Sequence, residues 1–232
     1  MNRLFSEYTS EIGKANLALL ANKATDPITY SQTLYELGRE LGQVLSVQVN
    51  DKKQNVCVAC SVEDADFLAK GVIESLSAAS LEVSLACFWN QRQKQHGLSI
   101  APIVRKYREP NVDNAKIIII VKSVISGACV IKTNLTHLIQ TLQPDNIFVV
   151  APVIHQDALF KLNLEFPYSI VSKFHYVYFA QDAERQENGD LIPGVGGNVY
   201  QRLGFKDQAD KNRFTPKLVK NRRTLLMMKV TQ

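Results

Sequence analysis

The 232-residue chain is short of cysteine and carries no long apolar run, and each shortage excludes a class of protein. Four cysteines in 26.0 kDa do not make a disulfide scaffold. Cys57 and Cys60 form a C-x-x-C, but the residues around them have strand composition, and positions three apart on a strand face opposite ways. No second Cys/His pair stands at ligand spacing, so a buried-core reading of these thiols, and of Cys87, is favoured over zinc or redox chemistry, and no metal site is expected. Apolar runs such as residues 117–121 are strand-sized, far below the roughly 18 residues of a membrane span, so no membrane partner is expected. Glu7, Glu11 and Lys14 stand where a secretory signal needs an apolar block, which makes the expected compartment cytoplasmic. There is no Walker loop and no G-x-S-x-G elbow. His96, His137, His155 and His175 lack carboxylate or cysteine partners at ligand spacing and are assigned surface or packing roles.

What is present suffices for one full core: 46% of residues are apolar and 21% charged, the balance of a single folded domain with embellishments. Charge is uneven. Nine basic residues after position 200 face only Asp207 and Asp210, a net +7 within a chain total of +5, so the first 200 residues carry −2. Such a tail invites a nucleic-acid or acidic partner, because phosphate binding releases counterions, yet no aromatic interleaving accompanies the charges and a solvated helical end is the favoured reading.

Periodicity predicts two helices before any strand, residues 5–24 and then 30–47, with Leu34, Leu37, Leu41 and Val44 at helical spacing. A strand near 56–62, a helix over 63–80 and a strand near 83–89 follow. Residues 90–110 read as a polar stretch and an extended segment, a flap or hood. Residues 115–121 are apolar without alternation, the pattern of a central strand covered on both faces. A helix from about 129, a strand near 146–153, a short helix and one or two strands within 167–180 complete the order. Together these predict an α/β fold, a doubly wound, mostly parallel sheet flanked by helices, with N-terminal helices and the flap. Ligands in such sheets bind beyond the carboxyl ends of strands.

Two segments fit that position. Ser126, Gly127, Ala128 and Cys129 form a small-residue turn into a helix, whose backbone N–H groups can face a phosphate; helix capping alone explains the same turn equally well. Residues 189–205 place Gly194, Gly196 and Gly197 after a proline, a spacing that allows positive φ and close approach of main chain to a flat ligand. The polar excursion before it reads as a lid or hairpin. Phe88 and Trp89 end a strand and are read as core or interface.

In order along roughly residues 26–206, the sequence resembles the uracil phosphoribosyltransferases, of the type I phosphoribosyltransferase fold. The IPGVGGNVYQRLGFK segment is similar to that family's uracil-binding Ile-Pro-Gly-Leu-Gly-Asp stretch, with Ile192, Pro193, Gly194, Gly196, Gly204 and Lys206 on matching positions. The IIIIVKSVISGAC segment aligns with the family's Asp-Pro-Met-Leu-Ala-Thr-Gly-Gly-Ser, placing Ser126 on the threonine and Gly127 on a glycine. This resemblance implies a nucleobase, nucleotide or PRPP-like ligand: phosphate on Ser126, Gly127, Ala128 and Cys129, and base on Ile192, Gly194, Gly196 and Gly197. It also implies a homo-oligomer, which an apolar flap ending in Phe88 and Trp89 would suit, and Mg²⁺ if the protein is active. Residues 1–50 then form a helical segment packed on the core, 51–206 the phosphoribosyltransferase-like domain, and 207–232 a basic C-terminal segment.

The departures concern catalysis. The loop aspartate falls on Val121 and its proline on Lys122, and the pyrophosphate-binding Arg-Ala-Gly is absent, with Glu63, Asp64 and Asp66 where an anionic leaving group would sit. Like charges would repel pyrophosphate there. Gly197 replaces an aspartate, Arg92 stands near the place of an arginine beyond the second strand, and Asp182 near an acidic residue before the base loop. Transferase activity is therefore expected to be lost or much reduced, while a base pocket made of main chain can persist. Two other readings stay open: a divergent active enzyme using Glu63, Asp64 or Asp66 with Mg²⁺, and a platform binding polyanions through its basic end.

Overall fold

A computed structural model describes residues 3–49, 54–95 and 98–230. A two-residue strand, β1 (Leu4–Phe5), comes before any helix, because its backbone pairs with a strand nearly 180 residues away; two residues leave no periodic trace in sequence. Helix α1 (Glu11–Ala21) begins later than its apolar spacing predicts, where the Ser10 hydroxyl accepts the Gly13 N–H at 2.8 Å. Helix α2 (Pro27–Gln48) starts at the Asp26 break, with the carboxylate accepting from Ile28 and Thr29 and a proline in the first turn. Its Leu34, Leu37, Leu41 and Leu45 are all buried.

Strand β2 (Val56–Ser61) passes with no intervening loop into α3 (Val62–Asp64), a π turn (Ala65–Ala69) and α4 (Lys70–Ala78). Strand β3 (Val83–Asn90) follows. The expected flap divides in two: β4 (Gln93–Gln95) and β5 (Leu98–Ile100) make a separate two-stranded sheet, whereas β6 (Ile103–Arg108) joins the main sheet as an antiparallel edge. Then come β7 (Ile117–Val121), the short β8 (Val124–Ile125), α5 (Cys129–Ile139) and β9 (Asn146–His155). Helix α6 (Ala158–Asn163) and a helical turn α7 (Tyr168–Val171) precede one strand, β10 (Phe174–Asp182), so the segment that allowed two strands holds a turn and a strand. The hairpin β11 (Glu184–Arg185) and β12 (Leu191–Ile192), then α8 (Val199–Arg202), α9 (Gln208–Arg213) and α10 (Lys217–Val230), finish the described chain.

The main sheet runs β1-β10-β9-β7-β2-β3-β6, with β8 beside β9. Five strands, β2, β3, β7, β9 and β10, are mutually parallel, and only the edges β1 and β6 run antiparallel. This is the doubly wound, mostly parallel α/β class that the resemblance implies. Strand β7 is central and buried throughout: Ile117, Ile119 and Val121 pack under α2 and α4, while Ile118 and Ile120 pack under α5. Cys60 and Cys57 divide between the same two cores, as strand alternation requires. Phe88 and Trp89 are also buried, the Trp89 indole donating to the Phe214 carbonyl at 2.8 Å, so neither offers an exposed flap for an oligomer contact. Numbering the parallel strands along the chain, their spatial order is 2-1-3-4-5. It reverses between β2 and β7, and a crevice opens there, beyond the carboxyl ends of both strands.

Candidate functional site

At the carboxyl end of β7 the chain places Lys122 and Ser123, and at that of β2 the first turn of α3 places Glu63 and Asp64. These four side chains form one buried network. The Lys122 ammonium donates to Ser61 Oγ at 3.0 Å, to Glu63 Oε1 at 3.1 Å and to Asp64 Oδ2. Asp64, fully buried, also accepts the Ser123 N–H at 3.0 Å and the Ser123 hydroxyl. From α9, Lys211 donates to the Asn90 carbonyl at 3.1 Å and stands 3.5 Å from Glu63 Oε2. Burial opposes the Glu63 carboxylate, but Lys122 and Lys211 outweigh it and hold its pKa down to about 2. Burial likewise opposes the Lys122 charge, and Asp64 and Glu63 overcome it, so the ammonium loses its proton less readily than usual. For Lys211 burial prevails and lowers the pKa despite Glu63.

The acidic stretch after β2 is therefore not a repulsive surface, a correction to its sequence reading. Glu63 and Asp64 are neutralised by a lysine from the neighbouring loop, some 60 residues along the chain. Asp66 belongs elsewhere: its carboxylate accepts the N–H groups of Lys217 (2.9 Å) and Leu218 (2.8 Å) and caps α10. Magnesium does not fit this corner. Val121 offers no carboxylate, Asp64 and Glu63 are engaged by Lys122, and no cluster of three metal-ligating side chains occurs among the described residues.

The second wall is the turn from β8 into α5. Ala128 stands at the helix N-cap without a side-chain hydrogen bond, leaving the first-turn N–H groups uncapped by a side chain. A Cβ added at Gly127 would meet nothing within 4 Å. The Arg185 guanidinium donates to the Ser126 carbonyl, and the Cys129 thiol, whose pKa burial raises, donates to the Ser99 carbonyl at 3.1 Å.

The third wall is the glycine loop after β12, and it is fixed from behind. Gly194 takes φ +55°, and a Cβ there would meet the Leu191 carbonyl oxygen at 2.5 Å; at Gly196, φ is +76° and the Leu20 carbonyl oxygen stands at 2.3 Å. Asp182, at the end of β10, accepts the Gly194 N–H at 2.9 Å and a bidentate pair from Arg3 at 2.8 and 2.7 Å. Arg3 also donates to the Gly194 carbonyl at 2.6 Å, and the buried Tyr30 hydroxyl to the Val195 carbonyl at 3.0 Å. Arg3 and Tyr30 carried no functional signal in sequence, since each reaches the loop from more than 160 residues away.

These walls share one cleft. Its inner part, about 60 Å³, is lined by Lys122, Val124 and Ser126 on one side and Leu191, Val195 and Gly197 on the other, with Glu63 and Lys211 at its charged end. The outer part, about 380 Å³, is bounded by Ser126, Gly127 and Cys129, with Arg92, Arg185 and Asp190 at the rim. Arg92 borders both parts, and its backbone N–H and carbonyl are clasped by the Gln208 side chain at 2.7 and 3.0 Å. Gly197 lines the inner part; Ile192, Gly194 and Gly196 shape the loop without lining either part, and Asp182 holds it from behind.

The basic end is partly consumed internally. Lys211 is buried, Arg222 pairs with Glu109 at 3.2 Å, and Arg202 donates to three carbonyls, those of Asn22, Lys23 and Thr25. Of the histidines, His137 and His175 make surface contacts with Lys106 and Asn146, and His155 is buried against the Ala183 carbonyl; His96 lies outside the described residues. No described helix is long and apolar enough to cross a membrane.

No protein-family model and no curated protein sequence matches the chain. Among solved structures, it is similar to the AQ2163 protein of Aquifex aeolicus, with a TM-score of 0.65 and 15% identity over 87% of this chain and 98% of that one. It also matches the L. donovani hypoxanthine-guanine phosphoribosyltransferase (TM-score 0.45, 7% identity, 63% of this chain and 77% of that one). A Neisseria gonorrhoeae protein with bound ppGpp matches at TM-score 0.42 and 12% identity, over 73% and 89% of the two chains. At 15% identity the likeness to the Aquifex protein is one of fold.

Proposed function

We propose that this chain is a phosphoribosyltransferase-like protein whose cleft binds a nucleobase- or nucleotide-type ligand, and whose transferase activity is lost or much reduced. The observation that carries the reading is the shared cleft: a helix start without a side-chain cap and a glycine loop face each other across a corner whose charges are already paired. In this reading a ligand phosphate meets the N–H groups of residues 127–129, with Arg92 and Arg185 at the rim, and the base lies along Val195 and Gly197.

Catalysis needs more than this. Pyrophosphate departure from an oxocarbenium-like state calls for cationic stabilisation, and losing one such stabiliser costs on the order of 10²–10³ in rate. Here the carboxylate at position 121 is missing, β2 enters α3 with no loop to hold pyrophosphate, and Lys122 already spends its protons on Ser61, Glu63 and Asp64. The protein then acts as a sensor or subunit. Isothermal titration with uracil, uridine monophosphate and phosphoribosyl pyrophosphate, alongside a labelled-uracil assay, tests both halves. Saturable binding without product supports the reading. Robust magnesium-dependent uridine monophosphate formation overturns the loss of activity, and no binding of any of the three overturns the ligand class.

A further inference from the structure

We infer that the Lys122 ammonium is a built-in cation at the switch point, so that this cleft takes a phosphate-bearing ligand without a divalent metal. The identity of the ligand rests on the nucleotide reading above, whereas the cation seat is a property of the chain alone. Around Lys122 Nζ stand a hydroxyl oxygen, Ser61 Oγ at 3.0 Å, and oxygens of two carboxylates, Glu63 Oε1 at 3.1 Å and Asp64 Oδ2. Such a set of hard oxygens, two of them anionic, is what a divalent cation recruits, and an ammonium with three donors satisfies it one bond to each oxygen. The backbone holds the side chain there, since the Lys122 N–H donates to the Val150 carbonyl at 3.0 Å, and the side chain is only 7% exposed.

Charge balance argues the same way. Glu63 and Asp64 are matched by Lys122 and Lys211, so the corner is neutral as it stands, and a metal entering it would face two buried ammoniums. The other cations along the outer cleft are Arg92 and Arg185, the latter also donating to the Ser126 carbonyl, and a phosphate would arrive beside them.

The test is Mn²⁺ titration of the full chain and of Lys122→Ala, read by electron paramagnetic resonance and by the melting temperature. Wild type should show no saturable Mn²⁺ binding, and Lys122→Ala, with the oxygens freed, should bind Mn²⁺ at least about tenfold more tightly and melt higher in its presence. Equal Mn²⁺ affinity of the two proteins overturns the inference. If Lys122→Ala is recovered unfolded, refolding with and without Mn²⁺ decides: recovery only in Mn²⁺ supports the cation seat, and failure in both sinks it. A separate arm measures uridine monophosphate affinity of the wild type in EDTA and in Mg²⁺. A difference within about twofold is expected, and a loss of about tenfold in EDTA overturns metal independence. Failure to bind uridine monophosphate in either buffer counts against the nucleotide reading alone and leaves the Mn²⁺ titration to judge the seat.

Discussion

Asp182 is the position where one substitution should loosen the glycine loop without touching anything that faces the cleft. Its side chain is fully buried and accepts three hydrogen bonds: two from the Arg3 guanidinium and one from the Gly194 N–H. Asp182→Ala would leave the Arg3 guanidinium, itself only 10% exposed, without its counter-ion. Breaking a buried pair from one side costs about 3–5 kcal/mol, because the surviving charge is stranded; an orphaned backbone N–H alone would cost about 1–3 kcal/mol. The two costs overlap, so we expect a loss of about 3–5 kcal/mol in all. Trp89, the one tryptophan and fully buried, reports unfolding by its fluorescence in urea, where the midpoint shift at constant slope gives the loss. Arg3→Ala should cost a similar amount, and the double variant much less than the sum, since removing both partners strands neither. An Asp182→Ala loss below about 1 kcal/mol, or strict additivity with Arg3→Ala, would refute the claim that this pair fixes the loop.

Acid sensitivity should trace to Glu63. A carboxylate whose folded pKa is depressed from 4.5 to about 2 contributes stability that is fully present above the unfolded value and disappears as pH falls through the folded one. Wild type should thus lose on the order of 3 kcal/mol between pH 5 and pH 2 through this group, and Glu63→Gln should show a flatter stability curve there; identical curves would remove Glu63 as the cause. Gly127→Ala places a methyl where nothing stands within 4 Å, so stability should change by less than about 1 kcal/mol, while uridine monophosphate affinity in calorimetry should fall, a result opposite to that of a mere helix cap. Asp66→Ala should cost about 1 kcal/mol by uncapping α10 and leave ligand affinity unchanged; weaker ligand binding would return Asp66 to the site.

Sequence patterning disclosed the elements whose burial is continuous or periodic. Residues 117–121 betrayed a central strand because both faces are covered, and the leucines of α2 betrayed a helix because one face is. Glycine spacing and a small-residue turn are local backbone demands and so stand out in sequence, and both segments border the cleft. What stayed hidden is what distant residues do to one another. β1 has two residues and no pattern of its own. Arg3 and Tyr30 hold the glycine loop across most of the chain length. The charges of Glu63, Asp64 and Lys122 were each visible, but only the pairing of β2 with β7 shows that the lysine cancels the acids and turns a supposed repulsion into an ion-pair network.

Under the proposed reading, that network also explains how the cleft would lose transferase activity and keep a ligand site. A pyrophosphate site depends on side-chain charges left free to meet an anion, and a buried corner tolerates free charges poorly: each must find a partner or shift its protonation. With a lysine at position 122 and acids at 63 and 64, the partners are internal, and the corner is folded rather than available. The glycine loop is under a different constraint. Its shape comes from positive φ at Gly194 and Gly196 and from bonds made on the side away from the cleft, to Asp182, Arg3 and Tyr30. Replacing cleft-facing side chains leaves those contacts intact, so under the proposed reading recognition of a flat ligand by main chain would persist where the stabilisation of a leaving group would not.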